Sequence, residues 1–190
     1  MSEISISGLQ LAAISEMVDV ARSLDSEIWL RGGWAMDFYL GRLTREHLDV
    51  DWYVWDGDMP VIANALVAQG WTDMEQYPAE QQRDLVKGAV EFGIAPLSSA
   101  ADGRVVVGGG PWRNAALPKD ILANALECQL GGIQCAVISP AAQIEIKQMM
   151  PTWVPGLPRR SKDAADMDLL AEAVKVARLD RDDAARGTCP

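Results

Sequence analysis

A mixed α/β (α+β) domain, one sheet flanked by helices and followed by a helical C-terminal segment, is predicted by three features of the chain. Helical and strand periodicities alternate along it, and glycines and prolines mark the changes between them. With 190 residues, 49% of them hydrophobic and 23% charged, the chain can bury a core and does not have the composition of a disordered protein.

The first element is an amphipathic helix over Leu9–Leu24, where Leu9, Leu11, Ile14, Met17, Val18 and Ala21 fall on one stripe. Ile28-Trp29-Leu30 then reads as a short buried strand running into Gly32-Gly33. Trp34–Leu40 reads as a helix closed by Gly41. Leu48–Trp55 alternates, with Leu48, Val50, Trp52 and Val54 on one face and Asp49, Asp51, Tyr53 and Trp55 on the other. Pro60–Gln69 is a helix stopped by Gly70, and three short β-prone runs follow between Gln82 and Val107. Leu126–Leu130 and Ile133–Ile138 flank Gly131-Gly132 as a hairpin. Ser139 caps a helix from Ala141 to about Met150, with Pro140 at its start. A proline-rich crossing through Pro151, Pro155 and Pro158 leads to a last helix over roughly Lys162–Leu179. These readings divide the chain into a main domain at 1–138, a packed helical segment at 139–180 and a polar tail at 181–190.

The charge balance narrows the function classes. A net charge of −10 works against broad binding to nucleic acid or to an anionic membrane, both of which need a basic face. The cysteines Cys128, Cys135 and Cys189 are odd in number and lack metal-ligand spacing, which fits a reducing compartment. The N-terminus MSEISISGLQ has no basic stretch followed by an apolar run, and no segment approaches about 20 apolar residues, so a cytoplasmic protein is expected.

The chemistry concentrates between residues 32 and 51. Asp49 and Asp51 are i and i+2 on a strand and share a face, so two carboxylates lie side by side. Adjacent anions repel unless a cation sits between them, and Mg²⁺ is the natural hard-oxygen partner. A D-x-D on a solvated strand face is also common by chance. Gly32-Gly33 links a strand to a helix start, where a phosphate can approach backbone N–H groups, although a plain tight turn would use the same residues. Together these two features supply what nucleoside triphosphate chemistry requires.

The run GGWAMDFYLGRLTREHLDVDWYV resembles the N-terminal signature of the nucleotidyltransferase superfamily, in the form found in aminoglycoside 2''-adenylyltransferases and small lincosamide nucleotidyltransferases. Gly32, Gly33, Trp34, Asp37, Gly41, Arg42, Thr44, Arg45, Glu46, His47, Asp49 and Asp51 fill its fixed positions. The likeness covers residues 9–60 well and the middle of the chain poorly. It returns at Ile138-Ser139 and at Lys162-Asp163 with Asp166.

The resemblance implies a nucleotidyltransferase-like fold. It also implies transfer of a nucleoside monophosphate, usually from ATP, to a hydroxyl of a small molecule, with release of pyrophosphate. Two Mg²⁺ ions about 3.5–4 Å apart would clamp the attacking and leaving oxygens, with Asp49 and Asp51 as ligands. A third carboxylate, which family members carry between hydrophobic residues shortly before a proline, would complete the metal shell and take the proton. Glu91 in Ala89-Val90-Glu91-Phe92-Gly93-Ile94-Ala95-Pro96 is its expected counterpart, with Glu75, Glu80 and Asp84 as substitutes.

The triphosphate contacts expected are Gly32, Gly33, Arg42, Arg45, His47, Lys147 and Lys162. Lys162 belongs to the basic island of Arg159, Arg160 and Lys162, and its plainer reading is an i,i+4 pair with Asp166. His47, the single histidine, either touches phosphate or a ligand carboxylate or merely fixes its turn. Trp34 reads as core, and Asp37 is placed to meet Arg42 or Arg45 or to cap backbone. Of seven tryptophans, Trp52, Trp55, Trp112 and Trp153 lie near plausible site edges and could stack a base or an acceptor ring. A cationic acceptor such as an aminoglycoside suits the acidic balance. A protein acceptor, or an inactive nucleotidyltransferase-like binding module, are the alternatives.

Overall fold

The computed structural model describes residues 5–186 apart from 124, 155, 157 and 159, and over 178–186 it describes the backbone alone. Arg159, Pro155, Cys189 and the last residues of the expected tail therefore lie outside the described residues.

Helix α1 (Ile6–Ser23) starts where Ser5 accepts a hydrogen bond from the Gly8 N–H, a side-chain cap that satisfies one free donor of the first turn. It buries Ile14, Met17, Val20 and Ala21. Strand β1 (Ile28–Arg31) runs directly into helix α2 (Gly32–Leu40), which ends at Gly41 in the left-handed region at φ 66°. Strand β2 (Val50–Trp55) is two residues shorter than the alternation implied. Leu48 is not on the buried face but 83% exposed, because the preceding loop is pinned by His47 and the strand begins only at Val50.

Helix α3 (Met59–Ala68) leads to β3 (Thr72–Asp73), a two-residue edge strand with no sequence signal of its own. The expected meander is present as β4 (Arg83–Lys87), β5 (Val90–Ser99) and β6 (Val105–Val107). The hairpin is β7 (Leu126–Leu130) and β8 (Ile133–Val137), with Gly131 and Gly132 both at positive φ. Helix α4 (Pro140–Trp153) is capped by Ser139, whose hydroxyl accepts from the Ala142 N–H, and it continues past Pro151. Helix α5 (Ser161–Arg186) runs further than expected. The polar stretch after Leu179 contains no glycine or proline before Gly187, so nothing local stops the helix.

The strands form one mixed sheet in the order β3-β4-β5-β2-β1-β8-β7, with β6 added beside the far half of β5. One face carries Leu30, Val50, Trp52, Val54, Phe92 and Ile94 against α1 and α3 in the main core. The other face carries Trp29, Tyr53 and Leu97, which pack with Ile138 and Ala142 at the start of α4. Register sets the site on that second face. Arg31 pairs with Asp51, Asp51 with Gly93, and Gly93 with Asp84, making a single row across β1, β2, β5 and β4. No helix among the described residues is long and apolar enough to cross a membrane.

Candidate active site

Gly32 brings the helix start against the acidic strand. It adopts φ +72°, and a β-carbon there would lie 2.7 Å from Asp51 Oδ2, so both backbone conformation and space require glycine. Arg31, the N-cap residue, makes no capping bond with its side chain. The guanidinium instead crosses to Asp51, Nη2 to Oδ1 at 3.0 Å, and lies 4.8 Å from the centre of the Tyr53 ring. Burial depresses the Arg31 pKa, but Asp51, Tyr53 and Asp49 more than compensate and hold the charge firmly on. Its Nε is buried without a partner.

Asp49 precedes β2 at its entrance. Burial, and then repulsion from Asp51, raise its carboxyl above the usual range, while Lys162 and Arg31 pull it down without cancelling the effect. Arg160 also feels both aspartates, although its fork is engaged with Asp163 at 2.7 and 3.0 Å. The structure thus sets Gly32 against Asp51, and Asp49 feels the charges of Asp51 and Lys162. It adds Arg31, whose role the sequence reading missed; its adjacency to Gly32 and its cross-strand position opposite Asp51 were the available signals.

Gly33 serves a different neighbour. A β-carbon there would collide with the His47 ring and approach Arg45 Nη2 at 3.0 Å. His47 is 5% exposed and its Nε2 is 2.6 Å from Asp37 Oδ2, while Arg45 Nη1 is 2.8 Å from its Nδ1. Arg45 can only donate, so the ring is the Nε2–H tautomer donating to Asp37. Asp37 Oδ1 accepts from the Thr44 hydroxyl at 2.5 Å. Arg45 then forks onto Asp166, at 3.3 Å from Nε and 2.9 Å from Nη2, and Lys147 joins the same carboxylate at 2.8 Å. These hydrogen bonds outweigh the effect of burial and hold Asp166 below the ordinary carboxylate range.

Three expected phosphate contacts therefore occupy a closed network: His47 is buried, and both Arg45 and Lys147 are already paired with Asp166. Arg42 follows the C-cap and is exposed, about 13 Å of helix away from the Gly32 end of α2. Glu91 is exposed near the start of β5, on the same face as Gly93 and opposite Val86. Among the described residues no three acidic, histidine or cysteine side chains are already arranged to hold a metal ion.

A cavity of about 600 Å³ opens beside Arg31, Gly32 and Asp51. Tyr53, Pro96, Trp112 and Met150 line it, together with Trp153, Lys147 and Arg160 of the C-terminal segment. Gln143 also lines it, 2% exposed, with an unpartnered Oε1. Two of the four tryptophans considered for the site reach it. Trp52 is core, and Trp55 packs edge-on against Trp29. Gly109 lines the cavity as well, in the run Gly108-Gly109-Gly110. A β-carbon at Gly108 would be 2.8 Å from Leu97 backbone, at Gly109 it would enter the Glu80 carbonyl, and at Gly110 it would be 2.6 Å from the Gln81 side chain.

Comparisons with known proteins bear on the fold and the family. The chain's fold is similar to that of ANT(2'')-Ia, solved in complex with adenylyl-2''-tobramycin, with TM-score 0.71 and 21% identity over 93% of this chain and 96% of that one. It is also similar to the lincosamide antibiotic adenylyltransferase LnuA, solved with lincomycin bound, with TM-score 0.65 and 19% identity over 90% and 99% of the two chains. A 2''-aminoglycoside nucleotidyltransferase of Klebsiella pneumoniae is 40% identical over 42 residues, 22% of this chain and 24% of that protein, so the match spans about a quarter of the relative's length. A family model described as aminoglycoside-2''-adenylyltransferase matches residues 13–170. The stretch it matches holds the glycine turn, both aspartates and most of the helical segment that closes the cavity, and the chain belongs to the aminoglycoside-2''-adenylyltransferase family.

Proposed function

We propose that the protein transfers AMP from ATP to a hydroxyl of a small antibiotic-like molecule in a Mg²⁺-dependent reaction that releases pyrophosphate. The single observation that carries this reading is the contact between the α2 start and Asp51, which puts backbone donors beside a carboxylate on the cavity wall, with Asp49 two residues earlier in the chain.

The donor set fits a hard divalent ion. Asp49 lies one residue before β2, burial and then repulsion from Asp51 raise it, and Asp51 already requires the positive charge of Arg31. Mg²⁺ is commonly held by one or two carboxylates together with substrate phosphates rather than by a full protein cage. Bound there, it would shield the triphosphate and polarise the α-phosphate. The N–H groups of Gly32 and Gly33, with Arg31, Arg160 and Lys162, hold the triphosphate. The acceptor oxygen forms its bond to the α-phosphorus as the bond to the bridging oxygen breaks. Pyrophosphate leaves with that electron pair, and the hydroxyl proton passes to a carboxylate.

The lining of the cavity bears on the acceptor. Its lining holds a single carboxylate, Asp51, which Arg31 already pairs, and its other cations, Lys147 and Arg160, are paired with Asp166 and Asp163, so aromatic and apolar side chains make up most of the rest. Such walls favour a hydroxylated molecule with an apolar body over a polycation. The test is incubation with ATP, Mg²⁺ and a panel spanning aminoglycosides and lincosamides, read by mass spectrometry. A nucleoside monophosphate adduct with pyrophosphate release is expected. No adduct on any acceptor, and no pyrophosphate, would overturn the reading.

A further inference from the structure

The register row across the sheet contains a second carboxylate for which no cation is provided. Asp84 on β4 stands opposite Gly93 on β5, and Gly93 stands opposite Asp51 on β2. The point a Gly93 β-carbon would occupy is 3.2 Å from Asp51 Oδ1 and 3.6 Å from Asp84 Oδ1. The two carboxylates therefore lean over the same glycine from opposite sides, and a side chain on the middle strand would fill the slot between them. Gly93 is not at positive φ, so its backbone does not demand glycine. Glycine at this position keeps the slot open.

Asp84 is half-buried, and its neighbour Gln82 donates from Nε2 to Oδ1 at 2.6 Å. That donor is neutral, and among the described residues Asp84 makes no ion pair, whereas Asp73 at the same sheet edge is held by Arg83. Two carboxylates facing one gap, with a counter-charge on one side only, are unfavourable unless a cation enters. Glu91 lies two residues earlier on β5, at the exposed end of the face.

Building on the proposed adenylyl transfer, we infer that Asp84 is the third carboxylate of the site, delivered from β4 across Gly93, with Gln82 positioning it. It adds a ligand oxygen on the far side of the slot from Asp51 and is placed to accept the proton of the attacking hydroxyl.

The test compares wild type with Asp84→Asn, Glu91→Gln and the exchange D84A/G93D, which moves the carboxylate to the opposite strand at the same register position. The first readout is Mn²⁺ affinity in the presence of α,β-methylene ATP, followed by electron paramagnetic resonance, which needs no acceptor. Asp84→Asn is expected to weaken Mn²⁺ at least roughly tenfold and to slow nucleotidyl transfer at least roughly 100-fold. The exchange variant is expected to recover both to within about tenfold of wild type. Unchanged Mn²⁺ affinity in Asp84→Asn overturns the assignment, as does a loss confined to Glu91→Gln. A wild type that binds Mn²⁺ and nucleotide but transfers to no acceptor leaves the metal readout intact and counts against the adenylyl-transfer reading alone.

Discussion

Two charged clusters lie within a few residues of each other, and they are built on opposite terms. In one, Thr44, Asp37, His47, Arg45, Asp166 and Lys147 form a continuous chain in which each carboxylate has its donors and Asp166 is held below its usual pKa. In the other, Asp49 and Asp51 repel each other, Asp49 is held above its usual pKa, and Arg31 keeps a buried donor without a partner. The first cluster ties α2 and the 42–49 loop to α4 and α5 and stabilises the fold. The second leaves repulsion between its two carboxylates uncompensated within the cluster. Polar residues of one short motif thus divide between a network whose hydrogen bonds are satisfied and a cluster left short of partners, the second being the one proposed to meet a ligand.

The comparison breaks most sharply at Asp51. Asp51→Asn should reduce nucleotidyl transfer at least roughly 1,000-fold, measured by pyrophosphate release, and it should also lower thermal stability because Arg31 loses its counter-charge. Asp49→Asn should lose transfer comparably yet melt at the same or a higher temperature, since a raised, repelled carboxylate is removed. Equal melting shifts in the two variants would contradict the distinction.

In the closed network Asp166→Ala leaves two cations without their shared anion and should cost about 3 kcal/mol, or roughly 6–12 °C in a melting curve. Gly33→Ala should cost about 1–3 kcal/mol by pushing His47 and Arg45 aside, detectable in the same assay. A smaller effect separates the clusters by pH. Asp166 is depressed in the folded state, so its contribution is present above the unfolded carboxylate pKa near 3.8 and is lost as pH falls through the lower folded value. Asp49 is raised, so its penalty disappears as pH falls through its folded value toward the unfolded one. In wild-type melting curves the two oppose each other, and Asp49→Asn should remove the second component and leave a steeper acid loss.

Elements with their own local signals were legible from the sequence. Ser139 with Pro140, Gly41 at positive φ and the Gly131-Gly132 turn each mark a boundary through backbone chemistry, and each boundary stands within a residue or two of its expected place. Features decided by long-range contact were not legible. Leu48 alternates correctly but sits outside β2, because the buried His47–Asp37 bond holds the loop before it; the run-on of α5, by contrast, was there to read in the lack of a breaker before Gly187. At the candidate site, the spacing of Asp49 and Asp51 singled them out only together with the glycine turn and the surrounding motif. The roles of Arg45, His47 and Lys147 depend on Asp166, more than a hundred residues from the first two, and no spacing within the motif contains that fact. The Arg31–Asp51–Gly93–Asp84 row is likewise a property of strand register, invisible until four strands are aligned.

The three consecutive glycines at 108–110 restrict how this enzyme can change its diet. Since any substituent there meets the main chain of β5 or the 80–81 loop, the lip of the cavity cannot be reshaped one residue at a time. Adaptation to bulkier or smaller acceptors has to pass through Trp112 and Trp153, both of which line the cavity and remain partly open to solvent.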